Sequence, residues 1–248
     1  MKYFFVFFLL VIIVFPINVQ ATSDTDNLIG SYYIPGYVVN KKEGLLIQLH
    51  NEIINRAQLS LDLIVEPTQR IQQSFKNNQL IGYFPELWQH IPKDKSEVVV
   101  SDNIAFKALI IFTKNKGKTI TQFSDLEGLT IGAVRGFSYG QMEENTNIKI
   151  QYVSSDEQNV KKLLSGRIDA MIGDSQSTVL AVKSLDHNQE IFYNTKQAID
   201  ILDIFYVFQK TPQGIAIRDK VNIAIKSLKK EGKIKLDPKT GKTQYFLP

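Results

Sequence analysis

The chain has 248 residues, 44% of them apolar, 10% aromatic and 22% charged, a globular composition that excludes disorder, collagen and a coiled coil. It contains no cysteine, which excludes disulfides, thiolate zinc sites, iron–sulfur clusters and a cysteine nucleophile. The formal charge of +4, spread over 29 basic and 25 acidic residues, is too diffuse to argue for nucleic acid.

Met1-Lys2-Tyr3 is a short basic start, Phe4 to Phe15 is an unbroken apolar run closed by Pro16, and Val19-Gln20-Ala21 ends on small residues. This pattern predicts a secretory signal peptide over residues 1–21, with an uncleaved anchor as the alternative. The apolar run falls short of the roughly 20 residues of a membrane span. A periplasmic location is expected.

Leu28 to Tyr33 reads as a strand stopped by Pro35-Gly36. After Gly44, the offsets of Leu45, Leu46, Leu49, Ile53, Ile54 and Ala57 place them on one face of a helix. Leu61, Leu63 and Val65 alternate as a strand, Pro67-Thr68 opens a helix that turns Ile71 and Phe75 inward, and Leu80 to Phe84 is a strand broken by Pro85. Ala108 to Phe112 reads as a connecting strand, and the order then repeats. Leu129 to Val134 is a strand, Ser138 to Asn145 a short helix, and Ile148, Ile150 and Tyr152 alternate as a strand. Ser154 and Glu157 have capping-box spacing before a helix closed by Gly166. Ile168 to Ile172 and Ile201 to Phe208 are further strands, and Val221, Ala224, Ile225 and Leu228 mark a last helix stopped at Gly232.

Two β-α-β-α-β units predict an α/β fold of two lobes joined by a two-strand hinge. The expected division is 22–107 with 209–248 for the first lobe and 108–208, hinge strands included, for the second. In open parallel sheets ligands sit beyond the carboxyl ends of the strands. That rule selects Tyr33, Tyr37 and Phe84 in the first lobe, and Arg135-Gly136-Phe137-Ser138 and Gly173-Asp174-Ser175-Gln176 in the second. Arg135 beside a helix N-terminus with the Ser138 hydroxyl suits an anion, Asp174 suits an ammonium, and the aromatic residues suit apolar packing. Each also has a plainer role: Asp174 as a helix cap, Arg135 as a solvated charge, the aromatic rings as core.

Three stretches carry a resemblance: Asp125 to Gly136, Leu163 to Asp174 and Asn222 to Gly232. They resemble the bacterial extracellular solute-binding proteins of family 3, the amino-acid receptors of ABC importers. The resemblance implies a type II periplasmic binding protein fold, no cofactor, no metal, no catalysis, a monomer, and an inner-membrane ABC permease as partner. It gives Asp174 the ligand's α-amino group, Ser138 a place near its carboxylate, and Tyr33 an aromatic contact. The family's Thr-x-x-Arg carboxylate clamp is missing: residues 86–95 hold no arginine, and Lys93 or Lys95 could supply positive charge there but not a bidentate fork. Asn77-Asn78-Gln79-Leu80 also stands where the family has Gly-x-x-Asp.

Gly136-Phe137-Ser138-Tyr139-Gly140 also has the spacing of a nucleophile elbow, with Asp174 and His187 in esterase order. His50, His90 and His187 are scattered, without zinc-site spacing, and are expected on the surface. Glu66 and Glu86 are the acids that a dehydratase on the same fold would need. The lysines between Lys226 and Lys242 read as a solvated face. A ligand-sensing protein without a permease is the remaining alternative.

Overall fold

The computed structural model describes residues 27–34, 36–114, 116, 120–185 and 190–247, so the expected signal peptide and His187 lie outside the described residues. The central runs, such as Ala105–Thr113 and Ala170–Asp174, become inner strands because they are apolar on both faces and covered from both sides, while the alternating runs form the strands at the two ends of the sheet. β1 (Leu28–Tyr32), β2 (Asp62–Glu66) and β3 (Gly82–Leu87) are linked by α1 (Leu45–Arg56) and α2 (Thr68–Lys76). β1 lies between β2 and β3 and pairs with both in parallel. β4 (Val98–Val100) and β5 (Ala105–Thr113) follow. The second unit has β6 (Thr130–Val134), β7 (Lys149–Val153) and β8 (Ala170–Asp174), with α3 (Asp156–Leu164) before β8 and α4 (Ser177–Lys183) after it. The chain continues through β9 (Phe192–Tyr193), β10 (Asp200–Gln209) and α5 (Pro212–Lys230) to a hairpin of β11 (Ile234–Asp237) and β12 (Lys242–Tyr245).

The sheet order is β2-β1-β3-β10-β5-β8-β6-β7, with β4 added to β10 and β9 to β5. β5 and β10 run antiparallel from Asp200↔Leu109 to Ile204↔Ala105. Beyond that stretch they part: β10 goes on to pair with β3 and β4, and β5 with β8. Each strand therefore belongs to both halves of the sheet, and together they form the expected two-strand connection. Period-2 alternation covers both faces. In the first half Phe84, Tyr206 and Phe208 pack with Leu49, Ile53, Val221 and Ile225 on one side, and Tyr83, Phe205 and Val207 with Ile71 and Phe75 on the other. In the second half Leu109, Ile131 and Ile172 face one cluster, Ile110, Phe112 and Met171 the other. After Thr211 the chain packs on the first half: Val221, Ala224, Ile225, Leu228 and Ile234 enter its core.

Several local expectations need correction. β3 does not stop at Pro85. Its register against β10 shifts between Phe205 and Val207, and Pro85 lies at that irregularity, where the missing N–H breaks no ladder bond. The segment after Ser138 is a 3-10 turn over Gly140–Glu144, not an α-helix. The cap of α3 is one residue later than expected: the Ser155 hydroxyl accepts from the Gln158 amide at 3.4 Å. Gly166 does close α3, at φ +68°, with Gly166 N donating to Leu163 O and Arg167 N to Lys162 O, the paired bonds of a Schellman end. His50 is not a surface residue. It is 2% exposed, stacks on Phe84 at 4.6 Å, and burial lowers its pKa to about 4. The lysine-rich tail does present a solvated face: Lys226, Lys230, Lys235, Lys239 and Lys242 are exposed, the last three in or between the strands of the β11–β12 hairpin.

Gly82 shows how tightly β3 meets β10. A Cβ there would lie 2.5 Å from Phe208 Cδ1 and 2.6 Å from the Val207 carbonyl oxygen. Gly82→Ala is expected to destabilise the protein by about 1–3 kcal/mol, read as a lower denaturant midpoint with unchanged slope.

Candidate functional site

The carboxyl ends of β1 and β3 in the first half, and of β6, β7 and β8 in the second, are the edges that parallel strands leave open to a ligand. β8 ends on Asp174. Its Oδ1 accepts from Gln176 N at 2.9 Å, Ser177 N at 2.8 Å and Ser177 Oγ at 3.2 Å, so one carboxylate oxygen caps α4. Both the plainer role and a half-buried position at the open edge therefore hold for Asp174. The Asp174 amide donates to Thr178 Oγ1 at 3.0 Å, and that hydroxyl donates to Asp156 Oδ2 at 3.1 Å. Asp156, the first residue of α3, is thereby fixed near Asp174. Burial pushes its carboxyl up to about 6 against the Thr178 hydrogen bond, with the Glu157 and Asp174 charges adding to the rise and Lys107 opposing it.

Tyr37 crosses between the halves. Its hydroxyl donates to Gln176 Oε1, joining the loop after β1 to the cap of α4. Burial raises its phenol to about 12, and the Asp174 charge adds to the rise. Removing this hydroxyl deletes one neutral hydrogen bond, worth about 1 kcal/mol. Tyr37→Phe is therefore expected to weaken ligand binding severalfold in a calorimetric titration while leaving the unfolding midpoint of the free protein within a degree or two.

The cation beside Asp174 is Lys107, not Arg135. Lys107 pairs with Leu202 across β10, and Leu109, two residues on, pairs with Asp174 across β8, so Lys107 and Asp174 are diagonal neighbours on one face. The Lys107 ammonium donates to the Ser138 carbonyl at 2.9 Å and lies 5.1 Å from the Phe137 ring centroid and 5.3 Å from that of Tyr139. Burial lowers its pKa, while the charges of Asp174, Glu143 and Asp156 hold it up. Arg135 turns the other way: its guanidinium lies 5.9 Å over the ring of Tyr152 on β7, and its side chain is exposed.

The other selected residues divide. Tyr33 is 60% and Phe137 53% exposed. Phe84 is fully buried, stacked between His50 and Tyr206 at 4.6 Å from each, so it belongs to the core. Ser138 is buried, and its hydroxyl donates to Glu143 Oε2 at 3.4 Å. The Tyr139 amide donates to the same oxygen at 3.4 Å. The chain's own carboxylate thus occupies the expected anion site. The serine of the G-x-S-x-G run is thus engaged with Glu143, and His187, the histidine of the esterase order, lies outside the described residues. Lys93 donates to Asn78 Oδ1 at 2.6 Å and Gln209 Oε1 at 2.8 Å, and Lys95 to the Ile91 carbonyl at 3.4 Å, so both are engaged within the first half. Glu66 pairs with Arg70 at 3.5 Å. Glu86 is buried under Tyr83, Gln72 and the Leu87 amide, and burial raises its pKa.

Surface hollows of about 320 and 330 Å³ are lined by other residues. One runs along Gln58, Leu59 and Lys220, the other along Trp88, Asp203 and Phe205. Neither gathers both signs of charge, as the Tyr37–Asp174–Lys107 corner does.

No family model matches the chain, and neither does any curated protein. Solved structures do match in fold. The GluR0 ligand-binding core from Nostoc punctiforme, in complex with L-glutamate, is 18% identical over 83% of this chain and 93% of its own, with a TM-score of 0.59. ArtJ, the arginine-, lysine-, histidine-binding protein of Geobacillus stearothermophilus, is 20% identical over 83% and 90%, with a TM-score of 0.57. Holo ArgBP from T. maritima is 18% identical over 85% and 91%, with a TM-score of 0.55. The chain has the two-lobe fold of type II periplasmic binding proteins.

Proposed function

We propose that this protein captures a small polar solute between its lobes and hands it to an inner-membrane ABC importer. The observation that carries the reading is the convergence of Tyr37, Gln176, Asp174, Asp156 and Lys107 at one open sheet edge, with a hydrogen bond crossing from lobe to lobe. Groups from both halves that meet only when the halves are close give a ligand the differential affinity that shifts a two-state equilibrium toward closure. The proposed lobes are 22–107 with 209–248 and 108–208. The amino-acid-like, zwitterionic class follows from the resemblance in sequence, and the ligands named for the neighbours in fold support it. The reading includes a periplasmic, monomeric protein that carries out no chemistry. Tyr33, Tyr37 and Phe137 supply aromatic surface, and Asp174 the acidic anchor.

A thermal-shift screen against amino acids, small peptides, polyamines and organic acids tests this. A solute at 100 times its dissociation constant should add about 2.7 kcal/mol to the stability of the folded state. A flat response across all four classes contradicts capture of a solute.

A further inference from the structure

Lys107 interrupts the apolar strand β5 near the middle of the sheet. A charge in that position is retained only if its surroundings replace water. They do so in a specific way. The ammonium has a carbonyl oxygen at 2.9 Å and two ring faces at 5.1 and 5.3 Å. The carboxylates of Asp174, Glu143 and Asp156 act on it together. Ring faces, a carbonyl acceptor and carboxylates are the chemistry that recognises an alkylammonium.

We propose that this corner is an ammonium subsite and that Lys107 is its resident cation, a specificity-determining residue that competes with any ammonium a ligand brings. Asp174 Oδ1 accepts from the Gln176 and Ser177 amides, and Lys107 stands diagonal to Asp174 on the same face, so a second ammonium brought to this corner meets the first and the two repel each other. A lysine ammonium has three N–H donors and no acceptor, and one of them serves Ser138 O. The others suit an acceptor. The consequence for the ligand rests on the solute-capture reading but departs from its zwitterionic ligand class: with Lys107 in place, the cleft favours solutes whose group at this corner is a carboxylate, a carbonyl or a hydroxyl over the matching amines.

The test has two arms. In the first, Lys107→Ala is melted with increasing n-propylammonium, which replaces the deleted side chain, and with sodium at equal ionic strength. Saturable stabilisation of the variant by propylammonium, absent in wild type and with sodium, is expected. An equal shift in both proteins, or none in the variant, overturns the subsite. In the second, Lys107→Met, which keeps the aliphatic stem, and wild type are titrated with L-glutamate against 2-oxoglutarate and with L-leucine against 4-methyl-2-oxopentanoate. The ratio of affinities should move toward the amino acid by at least tenfold in the variant, and an unchanged ratio overturns the role in specificity. If neither protein binds any of the four while propylammonium rescue persists, solute capture of this kind falls and the ammonium subsite stands.

Discussion

Asp174→Ala is expected to abolish ligand-induced thermal stabilisation, with an affinity loss on the order of a hundredfold or more. Removing one partner of a half-buried charge pair costs about 2–5 kcal/mol, because the other charge stays behind unpaired. Here the partner left behind is a cation, whether the ammonium of the ligand or that of Lys107. The free protein should lose about 1 kcal/mol because Asp174 Oδ1 accepts the first free amides of α4, and more because the Lys107 ammonium loses a neighbouring carboxylate. Asp174→Asn separates the two roles. Its amide oxygen can keep the bonds to the Gln176 and Ser177 amides, so the part of the free protein's stability that belongs to the helix end should return while binding stays lost. If the Asn variant binds as wild type does, Asp174 serves only the helix.

Two buried groups give opposite pH dependences in the same range, and removing either should expose the other. His50 titrates at about 4 in the folded protein against an ordinary 6.5. As pH falls, the unfolded chain takes up this proton first, so stability present above 6.5 is lost on the way to about 4. At about 1.4 kcal/mol per pKa unit this amounts to roughly 3 kcal/mol. Asp156 is raised to about 6 from an ordinary 3.8, so the unfolded chain releases its proton first. Its contribution is greatest below 3.8 and is lost as pH rises through about 6, by about 2 kcal/mol once partial exposure is discounted. His50→Gln should therefore gain stability relative to wild type as pH falls from 6.5 to 4. Asp156→Asn should lose stability relative to wild type over the same range. Denaturant unfolding at four pH values checks this, and parallel profiles for the two variants would refute both assignments.

Most of the fold was legible because its elements follow hydrophobic period, and period is a local property. The misses are places where a tertiary partner decides. Pro85 reads as a strand breaker, yet a register shift in β10, far along the chain, leaves no bond for it to break. Phe84 was selected by its place at the end of a strand, but that rule gives position and not direction, and its side chain turns into the core beside His50. Arg135 was matched to Asp174 because each follows a strand of the same lobe. Tyr152, on the edge strand, draws its guanidinium away instead. Lys107 does leave a signal: it is the lone charge in the run Ala105 to Thr113, just before the apolar stretch that begins at Ala108. Asp156 lies beyond the carboxyl end of β7, an edge that the sequence reading does not select. The Tyr37–Gln176 bond joins residues 139 positions apart and leaves no trace in either local segment.

Closure of the two lobes on a solute is the claim on which the rest depends. The chain has no cysteine of its own, so Lys76→Cys on α2 and Lys161→Cys on α3, both exposed, give a clean pair of spin labels, one on each lobe. The distance distribution between them should be broad in the free protein. With the best solute from the thermal screen it should narrow and move to shorter values, and Asp174→Ala should prevent the change. Identical distributions with and without a solute that stabilises the protein would contradict capture by closure.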